Sequence, residues 1–353
     1  MAPRTPHINS GDARSRMIEL AAAYSADTLG APSAFFPIPA VPDVRFTPVG
    51  DGPLGTQIID LAYASDYEPF LSRARELHDR VPENHTAYAR WWTSPVRDGS
   101  SGRPTIVLLH GWGGGNYWVT ARTFLVPYWL RHGYDVVAFT LPFHGERAPA
   151  TRQLGPRSGA LFPSPNPLRT NEGFGQAIHD LRALSRFLRS RNASAVGAMG
   201  MSLGGYTTAL WASVAGVAEH DTGGIDFAVA MIPAVSMARL MWSHGETSPV
   251  RRAAAKAGIT EDLLADVFAV HAPLTRPVRL PSQRLAVIGG RGDRITPPDQ
   301  AEALAHHWGV EVSWFDGGHL AQVGRGDAMR GVRRQLGTLG LVGREFRDQR
   351  SAQ

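Results

Sequence analysis

Two apolar patterns alternate along most of this chain. One is a short continuous run of apolar, β-prone residues, at 105–109, 135–141, 195–201, 227–232, 284–290 and 310–315. Such runs are expected of strands buried on both faces of a parallel sheet. The other is an apolar stripe at helical spacing, at 118–131, 172–189, 206–214 and 326–336. In 172–189 the stripe is Ile178, Leu181, Leu184, Phe187 and Leu188. Thr296-Pro297-Pro298 reads as a helix start, a cap followed by proline, for a helix running to about Trp308. Strands alternating with helices predict a mostly parallel sheet covered on both faces. Ligands in such sheets bind beyond the C-terminal ends of the strands.

The flanks differ. Residues 14–26 have helical spacing through Met17, Leu20, Ala21 and Tyr24, and a proline-rich connector covers 32–48. Residues 57–63 and 86–93 read as strands, 69–79 as a helix with Pro69 near its start, and 95–104 as a polar turn region. A long irregular stretch at 142–170 is rich in Pro, Gly, Ser and Arg, as functional or mobile loops are. The segment 234–283 interrupts the alternation with helical stretches at 249–257 and 260–269, the second capped by Thr260. It reads as a small helical lid inserted between two core strands. The expected organisation is a leader at 1–16, an N-terminal extension at 17–104, a core at 105–233 and 284–342, the lid at 234–283, and a tail at 343–353. No internal repeat is visible.

Composition narrows the function classes. At 353 residues, 43% apolar and 19% charged, the chain is an ordinary globular one with room for a large core. The net charge is +5, carried by arginines, with Lys256 the single lysine. The arginines are scattered and no nucleic-acid module is recognisable, so the excess reads as compositional bias rather than a polyanion-binding surface. There are no cysteines, which excludes disulfides, thiol catalysis and cysteine metal sites. No apolar run approaches a membrane span, and 17–24 is a poor signal peptide, interrupted by Glu19. The expectation is a cytoplasmic protein without stable membrane insertion, with oligomeric state open.

The chemistry centres on Gly200-Met201-Ser202-Leu203-Gly204. A G-x-S-x-G pattern between a strand and a helix is the context of a nucleophile elbow. Side chains two residues either side of a serine in so tight a turn would clash, hence the glycines. A serine hydroxyl needs a base. His319, in Asp316-Gly317-Gly318-His319-Leu320 after the last strand, is the candidate. His110 belongs to a strand-end loop, His179 to a helix, His306 and His307 to a helix end, and His85, His244 and His271 have no supporting context. The base needs an acid to orient it. Asp293 follows a strand and fits; Asp316 is better placed to shape a turn, and Asp299 sits inside a helix.

His110-Gly111-Trp112-Gly113-Gly114-Gly115 also follows a strand. It fails the G-x-G-x-x-G pattern of dinucleotide loops and lacks the G-K-[ST] of phosphate loops. It reads instead as one side of an oxyanion hole, formed by the N–H groups of Trp112 and Leu203, the alternative being a glycine turn that only packs. Pro142-Phe143-His144-Gly145-Glu146-Arg147 lacks metal-ligand spacing. It reads as a structural loop beside the site, the alternative being a ligand or substrate contact. Arg291-Gly292-Asp293 spells a cell-adhesion tripeptide by coincidence.

On His110-Gly111-Trp112-Gly113, Gly200 to Gly205, Gly290 to Asp293, and Gly318-His319, residues 104–340 resemble the α/β-hydrolase superfamily. The chain order Ser, Asp, His is that superfamily's order. The tract 171–188 and the loop 141–147 are similar to those of a little-characterised bacterial esterase-like branch, and 40–104 to its N-terminal extension. The resemblance implies an α/β fold, with a mostly parallel sheet, helices on both faces, an N-terminal extension and a small helical lid. It implies a cofactor-free serine hydrolase, a carboxylesterase. Ser202 would be its nucleophile, His319 its base and Asp293 the orienter, with Trp112, Tyr117, Phe143 and Trp242 as substrate contacts. The partner would be a small-molecule ester, partly apolar if Met237, Leu240, Met241 and Trp242 face it rather than pack the lid. Gly-Trp after His110, in place of the Gly-Gly of the His-Gly-Gly-Gly lipases, sets their substrate range aside. Thioester or amide cleavage, acyl transfer, and a non-catalytic binding role remain open readings.

Overall fold

The computed structural model describes residues 10–25, 32–94, 102–150, 158–244 and 247–342. Most of the expected leader, most of the 95–104 turn region, part of the 142–170 loop and the tail lie outside the described residues.

The sheet has nine strands, in the order β1-β2-β3-β5-β4-β6-β7-β8-β9. Its antiparallel side is β1 (Arg45–Asp51), β2 (Gln57–Ala64) and β3 (Thr86–Thr93), with β3 antiparallel to β5 (Asp135–Phe139). The parallel side is β5, β4 (Thr105–Leu109), β6 (Val196–Met201), β7 (Phe227–Met231), β8 (Leu285–Gly290) and β9 (Val312–Phe315). Every residue of β4, β5 and β7 is buried, as continuous apolar runs require when helices cover both faces. Two apolar clusters, one on each face, form the core.

The helices are α1 (Ser10–Ser25), α2 (Pro32–Phe35), α3 (Arg75–Asp79), α4 (Tyr117–Thr123), α5 (Val126–Arg131), α6 (Pro167–Ser190) and α7 (Leu203–Val214). There follow α8 (Met237–His244), α9 (Pro249–Lys256), α10 (Glu261–Phe268), α11 (Pro298–Trp308) and α12 (Arg325–Thr338). Helices α8 to α10 lie between β7 and β8, and α1 packs against α10. Thr260 caps α10 by accepting from the Leu263 N–H.

Several elements depart from the pattern reading. Strand β1 begins inside the expected connector and runs past its end. It is exposed along its length, and Pro48 and Gly50 flank a bulge, so no alternation marks it. The helix expected over 69–79 is a 3-10 turn followed by the short α3. The stripe at 118–131 is two helices, broken at Leu125, whose φ is 56°, ahead of Pro127. Helix α6 begins at Pro167, five residues before the expected Glu172, because the Asn166 side chain caps it by accepting from the Arg169 N–H. The N-cap of α11 is Pro297, not Thr296, whose hydroxyl is engaged elsewhere.

Register sets the site. Leu109, at the end of β4, pairs with Phe139 on one side and Gly200 on the other. The loops after β4, β5 and β6 therefore leave the sheet side by side, and those after β8 and β9 follow along the same edge.

Candidate active site

Strand β6 ends at Met201, and the chain turns at Ser202 with φ 57° and ψ −115° before α7 begins. This is a strained conformation for a residue with a side chain. It is held by Ser202 N–H donating to Met231 O at 3.0 Å and by Tyr206 N–H donating to Ser202 O at 2.9 Å. The flanking glycines are obligatory. A Cβ on Gly200 would lie 2.0 Å from Gly204 O, and one on Gly204 would lie 1.9 Å from Leu109 O. G-x-S-x-G is thus the only local sequence that lets β6, α7 and β4 approach this closely.

Two further loops bring their side chains to Ser202. His319 Nε2 lies 3.0 Å from Ser202 Oγ, and His319 Nδ1 lies 2.8 Å from Asp293 Oδ2. With Nδ1–H donating to the carboxylate, Nε2 is left to accept the serine proton. The two loops are tied together: Arg291 N–H donates to Phe315 O and Gly292 N–H to Gly317 O. Gln322 Nε2 donates to His319 O at 3.0 Å, fixing the histidine turn from behind.

Asp293 is almost fully buried beneath His319. Burial alone would raise its carboxyl pKa. Hydrogen bonds from His319, the Thr296 N–H and the Ile295 N–H outweigh that and hold it below the ordinary value. The N–H donors reach Oδ1 at 2.9 and 2.8 Å. The carboxylate is therefore kept ionised and aimed.

Thr296, whose Thr-Pro-Pro context predicts a helix cap, instead turns its hydroxyl to the Asp293–His319 pair. Its hydroxyl sits 3.0 Å from Asp293 Oδ2, 3.1 Å from His319 Nδ1 and 3.0 Å from Ile232 O. Ile232 itself has φ 37°, so the carbonyl that receives Thr296 leaves a distorted strand end. The signal was present as a threonine three residues after an aspartate, the spacing at which an Asp side chain captures a following N–H.

The glycine loop after β4 passes beside the serine. A Cβ on Gly111 would lie 3.5 Å from Ser202 Cβ and 4.0 Å from its Oγ. The loop is held by His110, whose Nδ1–H donates to Gly111 O at 2.8 Å and whose Nε2 accepts from Leu141 N–H at 3.1 Å. Burial drives the His110 pKa down to about 4, so it serves as a neutral brace. Trp112 follows Gly111, and its indole N–H donates to Gly159 O at 2.8 Å. Leu203 is the first residue of α7, so its N–H has no intrahelical partner.

Of the other expected contacts, Tyr117 and Phe143 are buried and Trp242 is half-buried. Tyr117 is buried in the second core cluster, with Thr140 Oγ1 donating to its hydroxyl at 3.0 Å. Phe143 is buried against Phe162, and its N–H donates to Asn84 Oδ1. Trp242, on α8, lies under the Arg251 guanidinium at 4.7 Å. No hydrogen bond or ring contact joins these three to Ser202 or His319 among the described residues. The loop 142–147 is internal scaffolding: Arg147 is fully buried and pairs with Asp180 at 2.7 Å, and burial followed by the neighbouring His110 lowers the His144 pKa to about 3.

Among the described residues, His78, Asp79 and His85 lie close enough together to be weighed as metal ligands. The two imidazoles stack at 4.4 Å with planes 15° apart, so their in-plane lone pairs run side by side instead of converging.

A largely parallel sheet with an antiparallel flank, a strained serine elbow after a central strand, and a histidine delivered after the last strand define the α/β-hydrolase fold, and this chain has it. Residues 104–222 match the family model described as alpha/beta hydrolase fold. An uncharacterized protein of Mycobacterium tuberculosis (strain ATCC 25618 / H37Rv) is 28% identical over 249 residues, covering 68% of this chain and 55% of that protein. The chain thus spans about half the length of that curated relative. Among solved structures, the acetyl xylan esterase from Paenibacillus sp. R4 is similar with a TM-score of 0.58 and 16% identity, covering 94% of this chain and 96% of that one. Acetyl xylan esterase 1 from Thermoanaerobacterium sp. JW/SL YS485 has a TM-score of 0.56 and 13% identity, covering 90% and 98%. At these identities the structural likeness is one of fold. No helix among the described residues is long and apolar enough to cross a membrane.

Proposed function

We propose that this protein is a serine hydrolase that cleaves a carboxylic ester through an acyl-enzyme on Ser202. One observation carries the reading: His319 Nε2 lies 3.0 Å from Ser202 Oγ while its Nδ1 lies 2.8 Å from a buried, low-pKa Asp293. A hydroxyl, a base and an oriented carboxylate in this chain of contacts are what nucleophilic acyl transfer requires.

The steps follow from the atoms present. Ser202 Oγ attacks the ester carbonyl carbon and its proton passes to His319 Nε2. The carbonyl π electrons move onto oxygen, toward the N–H groups of Leu203 and Trp112. Collapse of that oxyanion expels the alkoxide, which takes the proton from Nε2 and leaves as an alcohol. A water then gives a proton to Nε2 and attacks the acyl carbon, releasing the acid and restoring the Ser202 hydroxyl. The ionised Asp293 stabilises the imidazolium in both halves. Thr296 acts as a positioning residue, holding the contact between Asp293 Oδ2 and His319 Nδ1 through its hydroxyl. The two acetyl xylan esterases of the same fold support an ester as the bond cleaved. Helices α8 to α10 are proposed as a lid: α8 begins three residues after Ala234, whose N–H meets Ser202 O.

The test is hydrolysis of a p-nitrophenyl ester series by the wild type and Ser202→Ala. Turnover lost in the variant supports the reading. Equal turnover in both, or none in the wild type with any acyl group, contradicts it.

A further inference from the structure

Four large apolar side chains stand exposed on the loops that hold the proposed triad. Trp112 is 65% exposed, Ile295 43%, Leu320 89% and Val323 71%. Single exposed apolar residues are common on soluble proteins and need no explanation. These four share an address. Trp112 follows Gly111, where an added Cβ would lie 3.5 Å from Ser202 Cβ. Leu320 follows His319. Val323 follows Gln322, which donates both to His319 O and to the sulfur of Met201, the residue before Ser202. The Ile295 N–H donates to Asp293 Oδ1. The strand ends deliver all of them to one edge of the sheet.

The rim is also ordered in advance. The Trp112 ring is pinned by its bond to Gly159 O, and the turn carrying Leu320 is closed by Gly318 N–H donating to Ala321 O at 3.0 Å. A side chain already fixed loses little freedom when a ligand covers it. An exposed tryptophan held by its indole N–H and an almost fully exposed leucine on a closed turn, one beside Gly111 and one beside His319, make an apolar lip at the serine.

We propose that this lip receives an extended aliphatic chain on the acyl side of the ester, so that the preferred substrates carry several carbons beyond the carbonyl. This rests on the esterase reading of the same site. An acetyl group ends at the serine and leaves Leu320 and Val323 in water. A longer chain covers them, and each methylene removed from water adds to transition-state binding.

The experiment measures kcat/KM for p-nitrophenyl esters from acetate to octanoate, kept below their aggregation concentrations. It compares the wild type with Leu320→Ser/Val323→Ser. Both positions are exposed, so the double variant is expected to fold, and its thermal midpoint checks this. The expected wild-type profile rises about twofold per methylene, half the full-burial value for a contact covered on one side. The octanoate-to-acetate ratio is expected to drop several-fold in the variant. A wild type that prefers acetate overturns the proposal while leaving the esterase reading intact. So does an unchanged ratio in the variant, including the case where the substitutions merely dissociate a dimer on size-exclusion chromatography. Absence of turnover for every ester, together with no labelling by a fluorophosphonate, is the separate failure of the esterase reading.

Discussion

Two polar clusters in this molecule use similar parts to opposite ends. One joins α1 and the segments flanking β2 and β3 to α6. There Glu172 accepts from Tyr24, Tyr67, and the Phe70 and Leu71 N–H groups. Arg147 pairs with Asp180, and its other guanidinium bonds go to Asn84 and Thr140. Asn84 in turn bonds Gln176. The other cluster is Ser202, His319, Asp293 and Thr296. Both bury a carboxylate under several donors. In the first cluster the ion pair is sealed from solvent and its members are saturated by protein, so the cluster binds two parts of the fold together. In the second the buried acid is likewise saturated, but the chain of contacts ends on a half-buried serine beside backbone N–H groups that have no helix carbonyl to bond. Burial and hydrogen-bond density are common to both clusters; what sets the proposed site apart is a chain of bonds that stops at an accessible hydroxyl.

The contrast can be broken from either end. The largest effect is expected at the open end. Ser202→Ala is expected to lower kcat at least about 10⁴-fold, and Asp293→Asn about 10⁴-fold by favouring the wrong histidine tautomer. Neither is expected to move the thermal midpoint as far as a substitution in the sealed cluster does. Activity retained in Ser202→Ala would place the chemistry elsewhere. At the sealed end, Asp180→Asn is expected to destabilise the fold by about 3–5 kcal/mol, because it leaves the Arg147 cation buried and unpaired. Urea unfolding measures this, and a loss under about 1 kcal/mol would show that the pair is not sealed.

Thr296→Val should lower kcat about tenfold, the size of one hydrogen bond to a charged group, with KM little changed and the pH–rate profile displaced. Thr296→Ser should restore most of the rate. A valine variant with unaltered kcat and pH profile would reduce Thr296 to packing.

A separate effect is expected on stability against pH. Burial lowers the pKa of His110 to about 4 and of His271 to about 3, and burial followed by the neighbouring His110 lowers that of His144 to about 3. In the unfolded chain these imidazoles take up protons below about pH 6.5, whereas in the folded protein they stay neutral until near pH 4 or 3. The unfolded state then binds more protons. Stability is therefore fully present above about pH 6.5 and falls as pH drops toward 4. A thermal midpoint equal at pH 7.5 and pH 4.5 would contradict this.

The three side chains of the proposed triad were legible in the sequence because each sits in a glycine-marked turn after a strand. The glycines are there for steric reasons that a reader of the sequence can reconstruct. Thr296 escaped because Thr-Pro-Pro offers its hydroxyl a ready local use as a helix cap, and the competing tertiary partners lie far off in the chain. Strand β1 escaped because an exposed edge strand with a proline and a bulge has no buried face to leave a pattern. The Glu172 cluster was illegible for a different reason. Its partners are as much as 148 residues apart, and nothing in a tyrosine at position 24 announces a glutamate at 172. Local geometry writes itself into local sequence; saturation of a buried charge by remote donors does not.

The central claim is that the Ser202 hydroxyl is the activated end of the proton path. Incubation with a fluorophosphonate, followed by peptide mass spectrometry of the wild type and His319→Ala, tests it most directly. Modification confined to Ser202 in the wild type, and slowed by orders of magnitude in the variant, is the predicted result. An unmodified Ser202, or equal labelling without the imidazole, would contradict it.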